Sequence, residues 1–217
     1  MNKYFKVIIV NACIVAVAVL VVKSITFFAN EEKTIKSEAV SIAAQAPNFT
    51  GIDSQGKTHR LSDYKEKIVV LEWKNHKCPF VKKFYDQGDM QTFQQRFTDQ
   101  DIVWLSIVSS AEGKQGYQTP QECNNQIKTE GSQATAVILD PTGEIGKLYE
   151  AKTTPHMYVI NPKGKLVYAG AIDSIRSADP SDISKATNYV VEAIKSIQTN
   201  TPVAISSTQS YGCSIKY

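Results

Sequence analysis

The chemistry of this chain starts at Cys78, in Ile68-Val-Val-Leu-Glu-Trp-Lys-Asn-His-Lys-Cys78-Pro-Phe-Val-Lys-Lys-Phe84, where an apolar strand gives way to a helix. A thiol in the first turn of a helix faces unpaired backbone N–H groups and the positive end of the helix dipole, and both favour the thiolate. Lys74, His76 and Lys77 are cationic neighbours expected to act in the same direction. Such a sulfur is a nucleophile toward an O–O or an S–S bond. The competing reading is a buried, inert thiol, the ordinary fate of a single free cysteine. Asn75 is a candidate hydrogen-bond donor to the sulfur and His76 a candidate proton shuttle, unless both are plain solvated loop residues.

Cys13 lies inside an apolar run and reads as a small hydrophobe. Cys78, Cys123 and Cys213 belong to a part expected to meet an oxidising compartment, where thiols pair. Three is an odd number, which favours a redox-active arrangement over a purely structural framework. Cys123 falls near the start of a second helix beside Glu122, without cationic neighbours, and reads as structural or as an alternate disulfide partner.

The elements that must position Cys78 follow from periodicity. Residues 48–61 alternate around Ser54-Gln-Gly56, which predicts a hairpin, and Lys67 to Trp73 is a buried strand. From Pro79, a suitable first helical residue, Phe80, Phe84, Met90, Phe93 and Phe97 keep a helical period with an interruption at Gly88. Asp101 to Val108 is a second buried strand, and Thr119-Pro-Gln-Glu122 caps a helix running to about Glu130. Ala136–Leu139 reads as a strand, Ile145–Tyr149 as a short helix, and His156–Ile160 with Lys165–Ala169 as a hairpin. A last helix, capped by Asp179-Pro-Ser-Asp182, is expected over about 182–198. The alternation implies an α/β fold, a central mixed sheet with helices on both faces, and reactive groups at the carboxyl ends of its central strands.

At 217 residues the chain suits one domain with appendages. Of its net charge of +3, the first 46 residues supply +2 through five Lys against three Glu, and the remaining +1 argues against nucleic-acid binding. Val7 to Val22 is apolar apart from Asn11 and follows Lys3 and Lys6, the pattern of an export signal. Residues 1–29 are expected to be a signal peptide or an uncleaved membrane anchor, 30–46 a linker, 47–198 the domain, and 199–217 an arm carrying Cys213. The domain is then periplasmic or on the outer face of the membrane, anchored or secreted.

Trp73-Lys-Asn-His-Lys-Cys78-Pro-Phe-Val81, followed by Thr153-Thr-Pro155-His-Met-Tyr-Val-Ile160-Asn-Pro-Lys-Gly164, resembles the thioredoxin-like superfamily, in its redoxin branch related to alkyl hydroperoxide reductase and thiol-specific antioxidant proteins. The resemblance covers about residues 46–198 and implies a thioredoxin-like fold. It implies that Pro155 is cis and lies against Cys78, with Thr154 offering backbone groups to an extended substrate; Trp73 and Pro79 complete the substrate-binding set. Two departures stand out. Val81 takes the place of the second cysteine of thioredoxins, and Leu71 and Asn75 stand where peroxiredoxins carry Pro and Thr or Ser. The ending Tyr-Gly-Cys-Ser-Ile-Lys-Tyr is similar to a tail on bacterial redoxin-domain proteins, which implies that Cys213 folds back as the resolving thiol, the alternatives being a surface thiol or half of an intermolecular disulfide.

The expected activity is that of a thiol peroxidase or thiol-disulfide oxidoreductase, with Cys78 as nucleophile on a hydroperoxide or protein disulfide and a thioredoxin-type protein as reductant. No flavin, nicotinamide or metal cofactor is expected, since no glycine-rich phosphate loop follows a strand. The alternatives are a non-catalytic module that binds Cu(I) or a client protein through Cys78, with His76 or His156 assisting, and a scaffold in which Cys78 is inert.

Overall fold

The computed structural model describes residues 40–217; the signal or anchor segment, Cys13 and the linker up to residue 39 lie outside the described residues. Among the described residues no helix is long and apolar enough to cross a membrane. The last residues of the expected linker join the fold, since Ala43 and Ala46 donate backbone hydrogen bonds to Leu166 and Gly164.

The fully buried segments Val69–Trp73 (β3) and Val103–Val108 (β4) are rich in branched and aromatic residues and pair in parallel at the centre of a sheet. Ala136–Leu139 (β5) continues the sheet in parallel beyond β4. The hairpin Thr50–Asp53 (β1) and Thr58–Arg60 (β2) adds to β5, and the hairpin His156–Ile160 (β7) and Leu166–Gly170 (β8) adds to β3, both antiparallel. The resulting order is β2-β1-β5-β4-β3-β7-β8, a thioredoxin-like mixed sheet.

Alternation along the central strands divides the core in two. Val70 and Trp104 face a cluster with Phe84, Met90, Phe97 and Ile194 from helices Pro79–Tyr85 (α1), Asp89–Thr98 (α2) and Tyr189–Gln198 (α5). Leu71, Trp73, Leu105 and Ile107 face the opposite cluster with Tyr149 and Ile145, the latter from Glu144–Leu148 (α4). Helix Pro120–Glu130 (α3) sets Cys123 against Val108 and Val137. Its expected capping box is present: the Thr119 side chain accepts from the Glu122 amide, and the Glu122 carboxylate accepts from the Thr119 amide.

The last helix differs from its expected form. Pro180–Lys185 is 3-10, and α5 starts afresh at Tyr189 because the Asn188 side chain accepts from the Val190 and Val191 amides. Asn188 is a better cap than the helical period alone revealed. Gly88, with φ of 85°, separates α1 from α2 as its position suggested.

Candidate active site

Beyond β3 the chain turns sharply, and Asn75 shapes the turn. Its backbone carbonyl accepts from the Cys78 amide (2.9 Å), its Oδ1 accepts from the Lys77 amide (2.9 Å), and its Nδ2 donates to the Gln115 carbonyl (3.2 Å). A Cβ at Gly116 would sit 2.4 Å from Asn75 Nδ2, so glycine is required for that approach. The turn delivers Cys78 as the N-cap of α1, with extended backbone angles, Pro79 at the first helical position, and its carbonyl accepting from the Val81 and Lys82 amides.

Opposite Cys78 the Thr154–Pro155 bond is cis, as the resemblance implies. The proline interrupts an extended run between Thr153–Thr154 (β6) and β7, and brings the Thr154 carbonyl 3.0 Å from the Cys78 sulfur. The C-terminal arm returns to the same place. Cys213–Ser214 (β9) pairs antiparallel with β6, with Cys213 opposite Thr154, in a two-stranded sheet of its own. Gly212 makes that approach feasible: at φ of 127° its backbone is so close that a Cβ would lie 2.1 Å from the Thr154 carbonyl oxygen. Further contacts fasten the end of the arm. Ile215 donates to the Lys152 carbonyl, Ala111 donates to the Lys216 carbonyl, and the Tyr217 hydroxyl donates to the Ala151 carbonyl.

The three described cysteines are free thiols, and the Cys78 sulfur is 0% exposed. Burial opposes ionisation of Cys78, but hydrogen bonds from the Cys213 thiol, the Thr154 side chain and the Cys213 and Val81 amides outweigh it and hold Cys78 below the ordinary thiol range. Cys213 responds in the opposite sense: burial, donation to Cys78 and the proximity of that sulfur's charge push it up to about 12. One thiol is poised as nucleophile and its neighbour is kept protonated as the donor that stabilises it.

Other neighbours differ from expectation. The cations anticipated around the sulfur act elsewhere: the Lys74 ammonium pairs with Glu130 at 2.6 Å and lies over the Tyr85 ring, and Lys77 is exposed. The ionisation of Cys78 therefore rests on hydrogen bonds rather than on lysines. Asn75 spends both ends of its amide on the turn instead of on the sulfur. His76 is kept neutral by burial and by Lys77, and its unpartnered Nδ1 lies at a cavity of about 550 Å³ bordered by Lys82, Gln91 and Glu130. Pro79 is exposed beside the thiol, whereas Trp73 is 0% exposed, donates through Nε1 to the Ser109 hydroxyl, and packs on Tyr149 and Tyr158. Trp73 is therefore a core residue that supports the turn, not part of a substrate surface. His156, buried and held down to about 4, accepts from the Lys152 amide and packs against Tyr158.

Two features gave little sign in the sequence. Glu72 is fully buried in β3 and accepts from Tyr85 of α1 and from Trp104 and Ser106 of β4 at 2.8–2.9 Å, a carboxylate satisfied by donors from two elements. Gly212, directly before Cys213, signals the close backbone approach only once the partner strand is known.

A nucleophilic cysteine capping a helix, a cis-proline loop against its sulfur and a mixed sheet beneath both define a thioredoxin-like thiol oxidoreductase. Residues 42–169 match the AhpC/TSA family, and the chain belongs to it. It is 30% identical over 130 residues to the thiol-disulfide oxidoreductase ResA of Bacillus subtilis (strain 168), spanning 60% of this chain and 67% of that protein. Crystal structures of an uncharacterized conserved protein from Geobacillus kaustophilus and a hypothetical protein from Sinorhizobium meliloti each superpose with a TM-score of 0.72. They cover 83% of this chain and 94% and 96% of those chains, at 24% and 21% identity, a likeness of fold.

Proposed function

We propose that the domain of residues 47–198, completed by the arm of residues 199–217, is an exported thiol-disulfide oxidoreductase with a dithiol split between Cys78 and Cys213. The carrying observation is the register of the β6–β9 pair, which sets Cys213 opposite Thr154, the residue whose carbonyl lies 3.0 Å from the Cys78 sulfur. The Cys78 thiolate attacks one sulfur of a protein disulfide, forming a mixed disulfide and expelling the first partner thiolate. Cys213 then attacks the Cys78 sulfur, its proton passing to the second partner thiolate as that group is expelled, and a Cys78–Cys213 disulfide is left. A thioredoxin-type dithiol returns both cysteines to thiols, itself becoming a disulfide.

A disulfide is favoured over a hydroperoxide because the groups that lower Cys78 are a thiol, a hydroxyl and two amides, while the nearby Lys74 is committed to Glu130. Similarity to a thiol-disulfide oxidoreductase supports the same choice. Thr154 and Pro155 line the approach to the sulfur, with Pro79 on the exposed side. Export rests on the apolar run of residues 7–22 and on the exposure of such a disulfide cycle to an oxidising compartment.

The test is turnover of a protein disulfide with a dithiol reductant, followed by peptide mapping after mild oxidation. Turnover that is lost in Cys78→Ser, with a Cys78–Cys213 peptide in the wild type, is expected; both thiols remaining free after oxidation overturns the resolving role. A second reading draws on the same adjacency: two neighbouring sulfurs offer a soft pair for Cu(I). Copper retention at one ion per chain without turnover would favour it.

A further inference from the structure

The arm is fastened beside Cys213 by a buried polar cluster that the disulfide cycle does not itself use. Tyr211 is 3% exposed although it belongs to an irregular tail. Its hydroxyl donates to Asp173 Oδ1, which also accepts from the Ile175 amide (3.1 Å), while Asp173 Oδ2 accepts from Lys83 Nζ at 3.0 Å. The Lys83 and Asp173 side chains are 0% and 2% exposed, so the ion pair is almost wholly withdrawn from water. The Tyr211 ring also meets Phe80 edge-on, with centroids 5.9 Å apart.

Phe80 and Lys83 both belong to α1, the helix that Cys78 caps. The arm is thus tied, two residues before Cys213, to the element that carries the nucleophile. A buried ion pair gives little net stability after desolvation, but it offers a rigid acceptor with fixed direction. The docked arm has two opposed effects on the cycle. It covers the Cys78 sulfur, which has no exposed surface, and so hinders an incoming disulfide. It also holds Cys213 opposite Thr154, whose carbonyl meets that sulfur, which favours the second displacement through proximity.

We propose that Tyr211, held by the Asp173–Lys83 pair, is the positioning residue that sets the balance between these two steps: the arm lifts at Tyr211 to admit the substrate disulfide and re-docks there to resolve it. This rests on the reading of Cys213 as resolving thiol. The bonds exchanged are those already described. The Tyr211 hydroxyl is spent on Asp173, so the residue acts through the place of Cys213.

The test uses the full chain in a Cys123→Ser background and measures two rates separately. The first is alkylation of reduced Cys78 by iodoacetamide, located by mass spectrometry. The second is the intrachain displacement of a small aromatic thiolate from its mixed disulfide with Cys78, followed by absorbance. Tyr211→Phe keeps the ring against Phe80 and removes only the hydroxyl. It should speed alkylation about fivefold and slow resolution about tenfold, the range expected for one hydrogen bond of ordinary strength. Phe80→Leu should act in the same two directions more weakly. A merely structural role would leave both rates alone or move them together with the melting temperature, and either result overturns the proposal. If wild-type protein never releases the thiolate, the resolving role itself fails, while unchanged alkylation in Tyr211→Phe and Phe80→Leu independently overturns the latch.

Discussion

Cys78 and Cys123 begin from similar circumstances and end with opposite chemistry. Both sit at the start of a helix that follows a β-strand of the sheet, and both are buried, at 0% and 1% exposure. Yet Cys78 lies below the ordinary thiol range, whereas Cys123 is raised, chiefly by burial among Val108 and Val137. Depth alone therefore does not decide which sulfur ionises, and as N-cap Cys78 also faces the Val81 amide, whereas Cys123 lies a turn inside its helix. The deciding groups are the donors that the cis-proline loop and the arm bring to Cys78 from parts of the chain far away in sequence.

The largest effect that would sharpen the contrast is loss of the nucleophile. Cys78→Ser should reduce disulfide turnover by about a thousandfold, since its weak hydroxyl cannot replace a thiolate, while Cys123→Ser stays within about twofold. Equal losses from the two substitutions would erase the distinction. Next comes Cys213→Ala, which removes a donor as well as the resolving thiol. Ultraviolet titration of the Cys78 thiolate should move to higher pH, and the mixed disulfide should accumulate with turnover down about a hundredfold. A titration midpoint that does not move would show that the arm has no part in ionising Cys78.

Gly212→Val addresses the arm's backbone. A Cβ there meets the Thr154 carbonyl oxygen at 2.1 Å, so β9 must leave β6, and the yield of intrachain disulfide should drop about tenfold, in line with lost proximity. A normal yield would mean that Cys213 reaches Cys78 by another path. The smallest effect concerns His156, which follows the cis-proline and is buried neutral. Its folded value of about 4 lies below the reference 6.5, so the unfolded chain binds its proton first as pH falls. His156 therefore supports the fold fully above about 6.5, and that support is lost as pH drops through about 4, by at most ~3 kcal/mol. Melting curves of His156→Gln should show a shallower acid decline than wild type, with His76 supplying part of the remaining slope.

The sheet and its helices were legible because each is announced locally. The apolar strands around Leu71 and Leu105, the Thr119 capping box and the interruption at Gly88 need only neighbouring residues to be recognised. The cis bond at Pro155 and the placement of Cys78 were legible through family resemblance. The surroundings of the sulfur were less so. Lys74 looked like a cation for Cys78 and is instead bound to Glu130, 56 residues along the chain, and Trp73, expected in the substrate-binding set, points into the core beneath the turn. Which face a side chain takes at the end of a strand depends on the sheet's register, and the partner of a lysine depends on tertiary packing. The Tyr211–Asp173–Lys83 cluster was invisible for the same reason, its members being spread from residue 83 to 211.

The strand that carries Cys213 lies outside the seven-stranded sheet and contributes no rung to it. The arm ahead of it nevertheless meets that sheet at its edge, where Ser207 bridges to Ala169 of β8, and the two sulfurs are separated by most of the chain's length. During synthesis Cys78 emerges long before Cys213, so an oxidant arriving then would encounter the partners still apart.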